Sequence, residues 1–167
     1  FEIPLKKEIP NWLANPFNNN LPNFPLIDWW KIPDFDEDMG DIKLVWEQSR
    51  MDWVIAYAQR ARNGDQTALE NLNCWILDWL KHNPPYLGPN WKCGQESSIR
   101  VINLACASLI LGNEIPESFV SLISLHLKRI SPTMNYAISQ NNNHGTSEAA
   151  ALFIGGSLIS CLGDQDG

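Results

Sequence analysis

Residues 141–156, NNNHGTSEAAALFIGG, place three asparagine amides and one of the chain's three histidines directly before an apolar helical pattern. Asn, Ser and Thr are frequent at helix starts, because their side chains accept bonds from free backbone N–H groups. A helix start also favours an anion, and an imidazole exchanges protons near neutral pH. Two interpretations stay open. The segment is either a simple cap or a carboxylate-binding corner, in which Asn142 and Asn143 donate bonds and His144 is a base or an acid.

Glu148 follows His144 by four residues, a spacing that brings side chains together on one face of a helix. If the helix extends back to His144, the two side chains form a pair. If it starts later, Glu148 lies in the first turn, where a carboxylate interacts favourably with the helix dipole. The spacing is compatible with both arrangements.

A second mixed polar and aromatic segment, GPNWKCGQESSIR, precedes another helical pattern at residues 88–100. Glu96 and Arg100 have the spacing of a solvated ion pair, which stabilises a helix only slightly. The functional alternative is a cleft in which the indole of Trp91 is a stacking platform for a sugar. Its polar lining would be Gln95, Glu96 and Arg100.

Other aromatic patterns are more typical of a core than of a site. Trp46 and Trp53 flank a glutamate and an arginine, but their spacing fits a buried helical stripe. Trp75 and Trp79 also follow helical spacing, so a neighbouring histidine, His82, is expected at the surface. His126, in SLISLHLKRI, is expected to be a structural residue on the surface or in the interior of a helix.

Composition argues against several classes of protein. The chain has 12 Lys and Arg against 19 Asp and Glu, a net charge of −7, and its cations form no long run. This balance argues against nucleic acid as a partner, since phosphate binding needs clustered cations. The four cysteines lack the spacing of a zinc site, so no metal or cofactor is predicted, and Cys74 and Cys106 are expected to be buried free thiols. No apolar run reaches the roughly 18–20 residues of a membrane span, and no membrane partner is predicted.

Residues 1–38 differ from the rest of the chain. They contain more than half of the eleven prolines, together with Asn-rich and Trp-rich pieces. Proline at this density opposes both helices and sheets, so the segment is predicted to be an extended arm that packs on a helical body. Its large aromatic side chains are expected to anchor the arm by burial; these are Trp12, Phe17, Trp29 and Trp30.

Residues 39–167 show helical periodicity without a strand pattern, which predicts an all-α domain. Stop signals at Asn63-Gly64, Asn83-Pro84 and Gly112 divide it. The predicted helices cover about 42–62, 66–81, 95–111 and 116–139, with a fifth from about 145. The small residues Ala149, Ala150, Gly155 and Gly156 are expected to let the fifth helix pack closely. Antiparallel helical hairpins of this kind can build a bundle, a superhelix or an α/α toroid.

Five short motifs in this order resemble the N-terminal toroid of the heparinase II/III family of polysaccharide lyases. The family pattern runs W-E-x-x-R, W-x-x-x-N-P, G-x-N-W, E-x-x-x-R and N-N-H before a helix of small residues. In this sequence the motifs fall on Trp46, Glu47 and Arg50, on Trp79, Asn83 and Pro84, on Gly88, Asn90 and Trp91, on Glu96 and Arg100, and on Asn142, Asn143 and His144. The match covers residues 46–156, which is most of the helical part.

The resemblance implies part of an incomplete (α/α) toroid and β-elimination at a uronic acid within an acidic polysaccharide. It implies that Asn143 neutralises the substrate carboxylate and that His144 is a base or a neighbouring donor. Substrate-binding roles are implied for residues of the other motifs and their neighbours; these are Asn142, Asn90, Trp91, Gln95, Glu96 and Arg100.

The chain departs from the family in its second half. The family's catalytic tyrosine and second histidine lie further along the toroid, whereas Tyr136 precedes the N-N-H motif. We therefore expect this chain to be the N-terminal portion of a longer, periplasmic or secreted lyase, with little activity alone. The remainder of its own chain, including a β-sandwich, would then be its partner.

Two other functions remain open. A glycoside hydrolase on a similar toroid needs a pair of carboxyl groups, and Asp78, Glu96 and Glu148 show no convincing pairing in sequence. A non-catalytic carbohydrate-binding or interaction module is favoured by the eight tryptophans. Detection of unsaturated uronate products would separate a lyase from both.

Overall fold

The structure, a computed structural model, describes residues 8–22, 26–112 and 117–163, and this part of the chain is all-α, as the sequence predicts. A short antiparallel pair of strands, β1 (Phe35–Asp36) and β2 (Gly40–Asp41), precedes the helices. The helices are α1 (Lys43–Gln48), α2 (Trp53–Arg62), α3 (Gln66–His82), α4 (Gly94–Leu111), α5 (Glu117–Ile130), α6 (Met134–Ser139) and α7 (Asn143–Gly163). Short 3-10 turns cover Trp29–Lys31, Pro89–Trp91 and Ser131–Thr133.

α4 lies at the centre of the helical body and packs against α2, α5 and α7. Its apolar side chains Val101, Leu104 and Leu111 are buried in one cluster with residues of the neighbouring helices. Burial of this kind, at roughly 25 cal/mol per Å² of apolar surface, is the main stabilising contribution to such a core. The start of α4 is thereby fixed against the other helices, and this start forms one wall of the candidate site.

The first predicted helix is divided into α1 and α2. Met51 has a φ of 59°, which is outside the helical region, and its side chain is fully buried. Asp52 then caps α2 by accepting a bond from the backbone N–H of Trp53. Because of this break, Trp46 does not share one stripe with Trp53. It belongs instead to a separate small cluster beside the start of α4.

The fourth predicted helix is also divided, and here the cause is a proline. α5 ends at Ile130, a 3-10 turn contains Pro132, and α6 follows in a new direction. A proline lacks the N–H that would continue the helix and its ring clashes with the preceding turn. As a result α6 packs against α7, so that the two helix ends meet at the candidate site. The expected start at Pro116 lies outside the described residues.

Among the three glycines of α7 whose surroundings the structure describes, Gly155 approaches neighbouring helices most closely. A Cβ at Gly155 would lie 2.9 Å from Val101 on α4 and 3.0 Å from Leu127 on α5, whereas a Cβ at Gly156 would meet no atom within 4 Å. The expected packing role of small residues is therefore correct for Gly155 and wrong for Gly156.

α7 also corrects the expectation that no apolar stretch has the length of a membrane span. Asn143–Leu162 comprises 20 residues with a mean hydropathy of 1.3, and only 17% of its most apolar window is buried. By length and composition alone, this stretch is long and apolar enough to cross a bilayer.

The segment before the helices contains buried and exposed aromatic residues. Trp12 is buried, and its indole N–H donates a bond of 2.8 Å to Asp78 on α3. Trp29 is half-buried, but Phe17 and Trp30 are exposed, so the expectation that all four aromatic residues anchor the segment by burial is wrong. Residues 1–7 and 23–25 of the expected arm lie outside the described residues.

The expected burial of two cysteines is also wrong, whereas the expectation that they are free thiols is correct. Cys74 and Cys106 are exposed free thiols on the outer faces of α3 and α4. Helical spacing placed them near apolar residues in sequence, but the core lies on the other side of both helices. His82 and His126 agree with expectation, since the side chain of His82 is about half exposed and His126 is fully buried.

Candidate functional site

A cleft of about 470 Å³ opens between the first turn of α7, α6, the start of α4 and the turn at Trp29–Lys31. Its wall combines aromatic rings, cations and one histidine–glutamate pair. The lining residues are Trp29, Trp30, Asp34, Trp46, Lys92, Cys93, Gly94, Arg129, Thr133, Tyr136, Gln140, His144 and Glu148. Pockets of this size, with apolar walls and a few polar groups, are typical of small-molecule and saccharide sites.

His144 and Glu148 form the pair that their spacing allowed. α7 begins at Asn143, so both residues lie in its first two turns, with Nδ1 of His144 3.5 Å from Oε1 of Glu148. The side chain of His144 is 25% exposed, and that of Glu148 is 3% exposed. Oε2 of Glu148 has no hydrogen-bond partner among the described residues. Burial raises the pKa of Glu148, while the neighbouring His144 acts in the opposite direction.

Gly94, the first residue of α4, makes room for this carboxylate. A Cβ at Gly94 would lie 2.5 Å from Oε1 of Glu148 and 2.7 Å from Oε2. No larger residue fits here unless Glu148 moves, because these separations are far below normal van der Waals contact. The glycine therefore allows a buried carboxylate to sit against the start of α4, beside His144.

Arg129 supplies a fixed positive charge in the cleft wall. Its Nε donates a 2.8 Å bond to the carbonyl of Trp91, its Nη2 donates to the carbonyl of Lys92, and its Nη1 donates to Thr133. The guanidinium carbon lies 3.4 Å from the ring centroid of Trp29, in a cation–π contact. Burial lowers the pKa of Arg129 to about 10, with Glu148 opposing that shift, so the side chain stays cationic at neutral pH.

The remaining lining residues are held by neighbouring backbone. The indole N–H of Trp46 donates a 2.9 Å bond to the carbonyl of Pro89. Lys92 donates to the carbonyl of Ile32 and contacts Asp34 at 2.9 Å. These contacts connect the parts of the chain that form the cleft wall, and Asp34 balances the charge of Lys92 within the cleft.

Of the predicted catalytic residues, only His144 lines this cleft. The side chain of Asn142 caps α7, since its Oδ1 accepts a 2.9 Å bond from the backbone N–H of His144. Asn143 is the first residue of α7 and is exposed at the rim, outside the cleft lining. The cap interpretation therefore applies to Asn142, whereas His144 lines a cleft, as the second interpretation requires of it.

The predicted site residues of the second segment do not face the cleft, contrary to expectation, although Lys92, Cys93 and Gly94 of the same segment line it. Asn90, Trp91 and Arg100 are fully buried, and Glu96 is 5% exposed. Gln95 is half-buried and is not among the cleft-lining residues. A sugar cannot stack on Trp91 in this structure, since its ring packs at 4.7 Å between centroids against His126, and its N–H bonds to the carbonyl of Asn83.

Arg100 and Glu96 do not form the expected ion pair. Arg100 donates a 2.8 Å bond to Nε2 of His126 and further bonds to the carbonyls of Ser49 and Asn90. Glu96 instead accepts two bonds of 2.9 Å from Arg50, which lies in the break between α1 and α2. These residues connect α4 to its neighbours through hydrogen bonds within the fold.

His126 is a neutral acceptor in this network. Its Nε2 accepts from Arg100, so Nδ1 carries the proton and donates to the carbonyl of Leu122 at 2.8 Å. Burial lowers its pKa well below the ordinary value, and the charge of Arg100 lowers it further. His126 therefore has a structural role in the interior, which is one of the two positions that the sequence allowed.

Sequence reasoning missed most of the cleft. Lys92 precedes α4, Gly94 is its first residue, Arg129 lies in the last turn of α5, and Tyr136 lies on α6 after the proline break. The one available signal was Pro132, which predicts a break that turns α6 back toward α7. The turn bearing Trp29 and Trp30 reaches the cleft only through tertiary contacts.

Comparison with known proteins identifies no relative of this chain. No protein-family model matches the chain, and neither a curated protein nor a solved structure matches it significantly.

Proposed function

We propose that this chain is the N-terminal portion of a polysaccharide lyase that cleaves a uronic-acid-containing polysaccharide by β-elimination. The observation that carries the proposal is the His144–Glu148 pair in the wall of a cleft that also contains three tryptophans and Arg129. In this proposal the described helices are part of an incomplete (α/α) toroid. Residues 1–38 are the arm that packs on it, as the contacts of Trp12 support.

The first chemical step is removal of the C5 proton of the uronate. His144 is the proposed base, and Nε2 takes the proton because Glu148 faces Nδ1. The carboxylate holds the ring in one orientation and stabilises the imidazolium that forms. The electron pair of the C5–H bond forms the C4–C5 double bond as the C4–O4 bond breaks.

Negative charge that develops on the substrate carboxylate needs donors placed in advance. Three of the five N–H groups of Arg129 donate to protein acceptors, and two have no protein acceptor among the described residues. The N-terminus of α7 and the exposed amide of Asn143 are at the rim of the same region. We assign carboxylate neutralisation to Arg129 and Asn143 together.

The leaving O4 must gain a proton, and Tyr136 is the phenol in the cleft wall. A tyrosine hydroxyl is a suitable donor to a departing alkoxide. Tyr136 lies on α6, so the division of the fourth predicted helix brings this donor to the cleft that contains His144. Its assignment as the acid belongs to the proposal and replaces the position expected from the family.

The proposal is tested on the full-length protein that contains this chain, with uronate polymers as substrates. Ultraviolet absorbance of the unsaturated uronate product reports β-elimination. We expect His144→Ala and Asn143→Ala to lower this product, whereas His82→Ala, a change at an exposed histidine on α3, keeps it. Unchanged turnover in His144→Ala contradicts the residue assignment, and new reducing ends without unsaturated product support a hydrolase.

A non-catalytic saccharide-binding module is the second candidate. It is favoured by the exposure of Trp30, which is 61% exposed at the edge of the cleft and available for stacking. Retained binding of a polymer without cleavage of any kind would support this function in place of the lyase.

A further inference from the structure

A second cleft of about 420 Å³ lies on the other side of the turn at Trp29–Lys31. It is bounded by the segment at Tyr86 and by the end of α5. Both clefts are lined by Trp29, Trp30, Arg129 and Thr133. The two clefts are therefore adjacent on either side of the pair of tryptophans, so that a chain-like ligand that passes over this pair can contact both.

The wall shared by the two clefts is rigidly held. The backbone N–H of Trp29 donates a 3.0 Å bond to the carbonyl of Tyr86, and Gly88 donates a 2.8 Å bond to Ile27. Gly88 has a φ of 82°, and a Cβ there would lie 2.8 Å from a methyl group of Leu26, so a side chain would break this approach. The tryptophan pair is thus in place before a ligand arrives, which reduces the entropic cost of binding.

Within this wall the two indoles have different surroundings. Trp29 is covered on one face by the guanidinium of Arg129 and packs edge-to-face with Trp30 at 5.7 Å between centroids. Trp30 is 61% exposed, and its one cation contact is Lys31 at 5.9 Å among the described residues. A large apolar ring fixed in an exposed position between two clefts is a stacking surface for a flat, partly apolar ligand such as a sugar ring.

The charges of the second cleft favour an acidic ligand. Asp28 is paired with Lys31 at 2.7 Å, which balances both charges. Lys128 is exposed and has no ion pair within the described part of the chain. Although the chain as a whole carries a net charge of −7, Lys128 supplies a local positive charge that suits a carboxylate.

We propose that the second cleft is an additional saccharide subsite for the same uronate polymer, in which Trp30 stacks on a sugar ring and Lys128 contacts a uronate carboxylate. This inference depends on the proposed function, since it takes the acidic polysaccharide as the ligand. If both clefts bind the polymer, the affinity for an oligosaccharide rises once the oligosaccharide is long enough to pass Trp30. The first cleft alone does not predict this rise.

The test is the dissociation constant of uronate oligosaccharides of increasing length for the full-length protein, measured by calorimetry. We expect Trp30→Ala to weaken long oligosaccharides about tenfold and the shortest ones by a smaller factor, since Trp30 also lines the first cleft. Trp30→Phe should restore part of that loss. We expect Lys128→Gln to weaken the long acidic oligosaccharides about threefold but not neutral ones of equal length. Phe153→Ala, an exposed aromatic residue on α7 outside both clefts, is the matched control.

The results separate the subsite from the lyase activity. If binding depends on oligosaccharide length and on Trp30 but no unsaturated product forms, the result supports the subsite and contradicts the lyase activity. Unsaturated product with an unchanged length dependence in Trp30→Ala overturns the subsite and leaves the lyase. An equal loss at all lengths also overturns the subsite, provided that circular dichroism shows a folded variant.

Discussion

The buried network around Arg100 and the cleft around His144 contain the same types of residue but use them differently. Arg100 and His126 bond to each other and to backbone carbonyls, with no exposure. In the cleft, by contrast, Oε2 of Glu148 has no partner among the described residues and His144 is partly exposed. Saturated polar groups stabilise a fold, whereas groups with unused bonding capacity beside a cavity are available to a ligand.

The largest expected effect is on the buried side of this comparison. Arg100→Met leaves Nε2 of His126 and two buried carbonyls without their donor, so we expect it to lower the free energy of unfolding by about 3–5 kcal/mol. His144→Gln, in the cleft, should change it by less than about 1 kcal/mol. Urea unfolding followed by circular dichroism measures both. A similar decrease in the free energy of unfolding for the two variants would contradict the proposed difference between the buried network and the cleft.

The sequence predicted much of the helical body, because strong stop signals agree with helical periodicity. α3 and α4 match the predicted ranges within one residue at each end, bounded by Asn63-Gly64, Asn83-Pro84 and Gly112. The break before α2 was missed, since Met51 adopts a left-handed backbone conformation that its type disfavours. Full burial of its side chain offsets a strain of about 1–3 kcal/mol, and such tertiary compensation is not visible in a local pattern.

The candidate site was predicted only where its geometry is local. His144 and Glu148 meet because they are one helical turn apart, which a sequence displays directly. Arg129 and Trp29 reach the cleft from elements far apart in sequence, so their contact follows from packing. In the second segment, Trp91 and Arg100 failed as site residues because they are buried. Residue type alone does not distinguish a buried hydrogen-bonded arginine from a ligand-binding one.

A smaller effect tests how closely α7 is fixed behind the cleft. Gly155→Ala places a methyl group 2.9–3.1 Å from Val101, Leu127 and Ile123, so we expect a loss of about 1–3 kcal/mol. Gly156→Ala meets no atom within 4 Å and should stabilise the helix by about 0.5–1 kcal/mol. Thermal unfolding of both variants gives the comparison. Equal shifts of the two melting temperatures would contradict the close approach at Gly155.

The smallest expected effect is the pH dependence of Glu148. Its pKa is raised in the folded state, so the folded protein binds the proton more tightly than the unfolded chain. The free energy of unfolding therefore falls as pH rises from the ordinary glutamate pKa through the raised one. Compared with the wild type, Glu148→Gln should gain stability over this interval and match it in acid. Glu70→Gln, an exposed change on α3, controls for loss of one negative charge. A constant difference across this interval would contradict the raised pKa.

The central claim is that the cleft, and not the buried network, carries out chemistry on a uronate polymer. The most direct measurement is the rate of unsaturated uronate formation by the full-length protein, for the wild type, His144→Gln and the surface control His82→Gln. We predict product from the wild type and from His82→Gln, and a loss of about 100-fold or more in His144→Gln, since a positioned base contributes on that order. Equal rates in all three proteins would contradict the account.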